Sequence, residues 1–201
     1  MLEWLRRLFI SREVVQKHPE VTTIASLPTS TAFWIKIEGV GLGQGDFLPA
    51  CFVPNFPPDF GASDSGNEVQ IAKADLIVVT QSCDLENNKV AFVALCPIYS
   101  LTAFEAFNSG FKKKGEWEAV RQGRREGLYL LPSPENPENN RDALVVDFRQ
   151  IISLPVDYLT GYAGKIGPRW RLRSPYLEHF SQGFARFFMR VGLPSAIPPF
   201  K

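Results

Sequence analysis

The side chains best suited to chemistry gather in one polar stretch, Gln81-Ser-Cys-Asp-Leu-Glu-Asn-Asn-Lys89. Cys83 is followed there by Asp84 and Glu86. A thiol attacks only as a thiolate, which needs a base or a positive field beside it. The chain has two histidines, His18 and His179. Cys83, Asp84 and His179 are therefore the candidates for thiol chemistry. The alternative is a small buried cysteine beside turn-forming acids. Cys83 and Cys96 lack the paired Cys or His spacing of a zinc site, so no metal centre is expected, and no cofactor. Asp84 and Glu86 offer too few oxygens for a hard cation.

Basic residues supply the second set. Lys112, Lys113, Lys114, Arg121, Arg124 and Arg125 surround Trp117, and Arg169, Arg171 and Arg173 flank Trp170. Cations interleaved with aromatic rings suit phosphates and stacked bases. Residues 1–110 hold 7 Lys/Arg against 12 Asp/Glu, and residues 111–201 hold 15 against 9. The basic half can face an anionic partner or be a solvated face. A third set is apolar. Leu2, Leu5 and Phe9, with Trp4 and Leu8 beside them, mark one side of a helix over 1–18 and suit packing on the domain, on a partner or on a membrane surface.

These residues must be positioned by a loop-rich, aromatic core. The 201 residues suffice for one domain, 45% are apolar, and 16 are Phe and 16 Pro. Three cysteines and no secretory signal point to reduced thiols and a cytoplasmic protein. No apolar run reaches the roughly 20 residues of a membrane span.

Two apolar runs bracket the Cys83 loop: Leu76–Val79 and Val90–Leu95 read as neighbouring strands. Thr31–Glu38 alternates, with Phe33, Ile35 and Ile37 on one face and Trp34 and Lys36 on the other, as a half-buried strand does. Gly41-Leu-Gly43-Gln-Gly45 lacks the dinucleotide fingerprint and no helix pattern follows it. Phe47–Val53 reads as a further strand with Pro49 at an edge or bulge. Ser100 is placed to cap a helix over 101–108, and Glu116–Gln122 reads as a short helix. Leu128–Leu131, Ala143–Phe148 and Ile151–Leu154 read as strands. Ser174 at N-cap and Pro175 at the first position begin a C-terminal helix ending at Gly192. The expected fold is α+β: a curved antiparallel sheet or barrel over 31–159, interrupted by an insertion over 100–140, within a single domain 1–201.

The run Leu76-Ile-Val-Val-Thr-Gln-Ser-Cys-Asp-Leu, then Val90-Ala-Phe-Val-Ala-Leu-Cys-Pro, then Ala143-Leu-Val-Val-Asp-Phe-Arg-Gln-Ile-Ile-Ser-Leu-Pro resembles the strand order of the MazF/PemK toxin barrels. The resemblance implies a small SH3-like barrel and, in the family, RNA cleavage. The family uses an Arg before the first of these strands and a Thr after the second. Lys73-Ala74-Asp75 and Cys96-Pro97 stand there instead, and Lys73 can offer a phosphate a point charge but no fork. The resemblance thus implies a degenerate copy that keeps partner binding and has lost cutting, as an accessory component of a bacterial stress, toxin-antitoxin or phage-defence system. The leading expectation is a non-enzymatic module that binds a protein partner. The alternatives are an RNA-binding protein or endoribonuclease using Lys73, the Lys112–Arg125 region and the Cys83 loop, and a thiol enzyme at Cys83.

Overall fold

The computed structural model describes residues 32–57, 60, 61 and 68–189. They belong to one compact unit that begins at Ala32. The helix expected over 1–18, with Leu2, Trp4, Leu5, Leu8 and Phe9, lies outside the described residues, as does the helix end expected at Gly192.

Among the described residues eight strands form two antiparallel sheets: β1 (Trp34–Ile37), β2 (Phe47–Asn55), β3 (Gln70–Val78), β4 (Phe92–Ser100), β5 (Leu128–Leu131), β6 (Leu144–Asp147), β7 (Ile152–Pro155) and β8 (Arg169–Leu172). The larger sheet runs β2-β3-β4-β6-β5, with β7 also on β4, and β1 pairs with β8. Five helices decorate them among the described residues: α1 (Ser82–Glu86), α2 (Leu101–Phe107), α3 (Glu116–Arg121), α4 (Val156–Ile166) and α5 (Tyr176–Phe188). The α+β class and antiparallel strands agree with the sequence reading.

Leu76–Val79 is apolar at every position because the chain is covered on both faces there, whereas β4 begins at Phe92, which is 58% exposed, after Val90 and Ala91. Leu76 and Val78 of β3, with Val93 and Leu95 of β4, pack under α4 against Leu159 and Ala163. Ile77 and Val79, with Cys96 and Ile98, face the other way into a core closed by Phe180 of α5. A third cluster, around Phe104 of α2 and Val120 of α3, fills the insertion. Ser100 caps α2 as expected: its hydroxyl accepts from Ala103 N at 3.1 Å.

The strands do not close into a barrel. Gly45 and Asp46 link the two sheets: Gly45 N donates to Val78 O at 2.9 Å, and Leu172 N to Gly45 O at 3.1 Å. Gly45 has φ +80°, and a Cβ there would lie 2.9 Å from that of Leu172, so only glycine lets β8 come this close. At the far ends no ladder joins β1 to β5. One side chain spans the gap instead, Trp34 Nε1 donating to Pro132 O at 2.8 Å.

Five further expectations are corrected. On β1 the inward residue is Trp34, while Ile35 is exposed, because the Trp34 ring fills the core and its N–H finds Pro132. The Cys83 loop contains α1, and Ser174 leaves the start of α5 to the backbone, since Arg173 O accepts from Tyr176 N and Leu177 N. Helix α4, with Gly161 and Gly164 inside it, was not expected, because its sequence has weak helix propensity and packing decides it. Strand β8 was read only as a basic cluster.

Candidate functional site: a basic groove beside β5

The β6–β7 segment runs antiparallel to β4 with an interruption. Val146 faces Ile98 and Ile152 faces Leu95, so Asp147–Ile151 on one strand span only Cys96 and Pro97 on the other. The surplus residues turn outward and carry Arg149 and Gln150. Asp147 anchors the turn. Its buried carboxylate accepts from Arg149 N at 3.0 Å, from Arg149 Nε and Nη2 at 2.7 Å each, and from Gln150 Nε2 at 3.2 Å. Burial and this carboxylate push the Cys96 thiol up to about 12, and the same two causes, in the same order, raise Tyr99.

Arg149 lies against Gly127, which has φ +78° and where a Cβ would meet the Arg149 side chain at 2.6 Å and the Phe187 ring at 2.9 Å. Gly127 ends the turn that leads from α3 into β5. Two hollows open here. One, of about 390 Å³, is walled by Arg121 and Arg125 from α3 and its turn, by Leu128–Leu130 of β5, and by Gly183, Arg186 and Phe187 of α5. The other, of about 530 Å³, is walled by Phe111, Lys113, Glu116, Arg124 and Arg149. Arg125, Glu126 and Leu128 line both, so the two form one groove. Six cations face two carboxylates in its wall. Arg121 forks onto Glu118 at 2.6 and 2.7 Å and holds that carboxyl down at about 2, and Arg125 pairs with Glu116. Among the described residues neither Lys113 nor Arg186 has an ion-pair partner. Lys112 and Lys114 are exposed beside Lys113 and do not line the groove.

The second basic cluster is elsewhere and is occupied. Arg169 is buried; its Nε donates to Asp46 Oδ2 at 2.9 Å, its Nη1 to Gly39 O at 2.7 Å, and its Nη2 to Gly41 O. Arg171 gives both Nε and Nη2 to the same carboxylate. A guanidinium so committed has no fork left for a phosphate, which removes Arg169 from the nucleic-acid set. Arg173 is exposed at the end of β8, and Lys73 stands over the Phe52 ring at 5.3 Å on the outer face of β3.

Cys83 is exposed on α1. Its Sγ contacts Gln81 Oε1 at 3.6 Å and Asp84 Oδ1 at 3.9 Å, both oxygens. His179 packs edge-on against Tyr176 in α5, and no hydrogen bond joins it to Cys83. Among the described residues no imidazole, ammonium or guanidinium is hydrogen-bonded to the thiol, and the neighbouring Asp84 carboxylate pairs loosely with Lys89. Among the described residues no three His, Cys, Asp or Glu side chains gather as metal ligands, and no helix is long and apolar enough to cross a membrane.

Sequence reasoning missed Arg149 and Arg186 because the nearest other basic residues of the groove are distant in the chain. The signal available was their place opposite Asp147 and on the polar side of α5. No family model, no curated protein and no solved structure matches this chain.

Proposed function

We propose that this chain is a non-enzymatic module that binds a protein partner through the groove beside β5. The observation that carries this is the groove's make-up: an apolar floor of Leu128, Leu130 and Phe187 rimmed by Arg121, Arg124, Arg125 and Arg186. Apolar anchor sites inside a charged rim suit a protein segment, with charge steering the encounter. The exposed Cys83 has no cationic or imidazole hydrogen-bond partner among the described residues, so this reading places no thiol reaction there.

A degenerate toxin-like barrel is compatible with this reading. The curved sheet is held at its ends by Trp34, and the positions where that family places its cleavage residues hold exposed Lys73 and buried Cys96 and Pro97. On this reading the module serves a bacterial stress or phage-defence system as an accessory component. RNA binding is the second reading, favoured by the six cations of the groove wall.

The test is affinity capture from the native host, with and without nuclease. Wild-type protein and the double variant Arg124→Glu/Arg186→Glu are compared. A partner protein kept after nuclease and lost by the variant supports the reading. Capture abolished by nuclease transfers the groove to RNA, and capture indifferent to the variant removes the groove altogether.

A further inference from the structure

The free sides of the sheets are not treated alike. On β2 the outward groups are capped: Ala50 N donates to Asp75 Oδ1 at 2.7 Å, and the Tyr158 hydroxyl both accepts from Phe52 N at 3.1 Å and donates to Phe52 O at 3.0 Å. The Tyr162 hydroxyl donates to Pro49 O at 2.6 Å, and Pro54 has no N–H to offer. Strand β1 carries Lys36 near its centre and β7 ends on Pro155, two further ways to discourage pairing. Strand β5 has neither. Leu128-Tyr-Leu-Leu131 holds no charge and no proline, and among the described residues it pairs on one side only, with β6. In an antiparallel pair alternate residues turn N–H and C=O away from the partner, so two of its four residues present these groups outward. The 390 Å³ hollow lies along that side, between α3 and α5.

We propose that the free edge of β5 accepts an extended acidic segment of the partner protein as an added strand, its carboxylates meeting Arg124 and Arg186. This rests on the protein-binding reading above and specifies its partner. Strand addition supplies main-chain hydrogen bonds, and side-chain pockets beside the edge supply selectivity. Guanidinium forks match carboxylates in pairs. The apolar lining decides between a peptide and a nucleic acid. Leu128, Leu130 and Phe187 offer no polar partner to phosphates, whereas an extended peptide can set apolar side chains against them. The apolar floor at Leu128 and Phe187 accepts every second side chain of an added strand.

The test is fluorescence anisotropy on the full chain with a labelled octapeptide alternating Glu with Val and Leu. Three comparators are used: the same peptide N-methylated at alternate amides in each of the two registers, a Lys-for-Glu peptide, and a ten-residue oligouridylate. Strand addition predicts that methylation in one register weakens binding about tenfold or more, the equivalent of two lost backbone hydrogen bonds, and that the other register is tolerated. It predicts no binding of the Lys peptide and at least a tenfold loss in Arg124→Glu/Arg186→Glu. Equal binding of both methylated forms, tighter binding of oligouridylate, or no binding of the acidic peptide overturns the proposal. If it fails while captured protein still depends on the groove, the added strand is wrong and the protein-binding reading stands. If capture too ignores the groove, that reading falls with it.

Discussion

Replacing Asp46 by Asn tests the centre of the structure. Asp46 is fully buried and accepts from Gly43 N at 3.1 Å, from Arg169 Nε at 2.9 Å, and from Arg171 through Nε and Nη2. Asn keeps the shape but removes the charge that compensates Arg169, whose side chain is 1% exposed. Removing one partner of a buried pair costs about 3–5 kcal/mol, because the other charge remains buried. With a urea m-value of about 2 kcal/mol/M, the midpoint should fall by about 1.5–2.5 M. Arg171→Met should cost less, about 1 kcal/mol, because that side chain is 26% exposed and water screens its charge. Removing all three charges, as Asp46→Leu/Arg169→Met/Arg171→Met, should not restore full stability. The buried Gly43 N–H loses the Asp46 oxygen it donates to, and a stranded buried donor costs about 1–3 kcal/mol. The assay is urea unfolding followed by tryptophan fluorescence, with Trp34 and Trp170 beside the network. A midpoint shift below about 0.5 M for Asp46→Asn would refute the claim that this carboxylate joins the two sheets.

Four further outcomes are expected. Tyr158→Phe uncaps Phe52 and should cost about 1–2 kcal/mol, with faster amide exchange at Phe52 by NMR. Val78→Asp places an unpaired charge in a fully buried position and should cost several kcal/mol, read as loss of soluble folded protein by circular dichroism. Cys83→Ala should change stability by less than about 0.5 kcal/mol and leave partner capture intact, and native alkylation at neutral pH should modify Cys83 while sparing Cys51 and Cys96. Stability should decline as pH rises above about 9. The Cys96 thiol ionises near 9.0 when exposed and near 12 when folded, so over that interval the unfolded chain has lost a proton that the folded chain keeps. Tyr158, raised from 10.0 to about 12 by burial and its bond to Cys51, acts in the same direction, and a flat unfolding midpoint from pH 8 to pH 11 would contradict both.

The Asp46 network also explains the glycine-rich stretch before β2. Arg169 and Arg171 hold the carbonyls of Gly39 and Gly41, and Gly43 leaves room for the Arg171 guanidinium, which a Cβ would approach to 2.6 Å. Gly43 serves close approach of a charged strand, whereas a Cβ at Gly39 or Gly41 would meet nothing within 4 Å. A ligand loop is not needed to account for Gly43. The exposed apolar stripe on the outer face of the β2–β3 hairpin has Phe52 at 46% and Ile71 at 65% exposure, on the same face by register. It differs from the groove in carrying one cation, Lys73, and capped backbone groups along its edge.

What the sequence determined by itself is local. The runs Leu76–Val79 and Val90–Leu95 are apolar at consecutive positions and mark β3 and β4, the second beginning at Phe92 rather than Val90. Ser100 before Leu101, and Leu128–Leu131 between turn residues, encode their elements within a few residues. The α+β class follows from these alone. Tertiary structure decided the rest, because the deciding partners are far apart in the chain. Trp34 turns inward because Pro132 O lies within reach, and α4 forms over two glycines because Leu159 and Ala163 have β3 and β4 to cover. Arg169 and Arg171 read as a nucleic-acid cluster until Asp46, more than a hundred positions away, claims them. Arg121, Arg125, Arg149 and Arg186 become one groove only when the β6–β7 turn and α5 are folded against β5. Composition can count charges, but it cannot say which are neutralised at short range in a buried site and which remain at the surface to meet a partner.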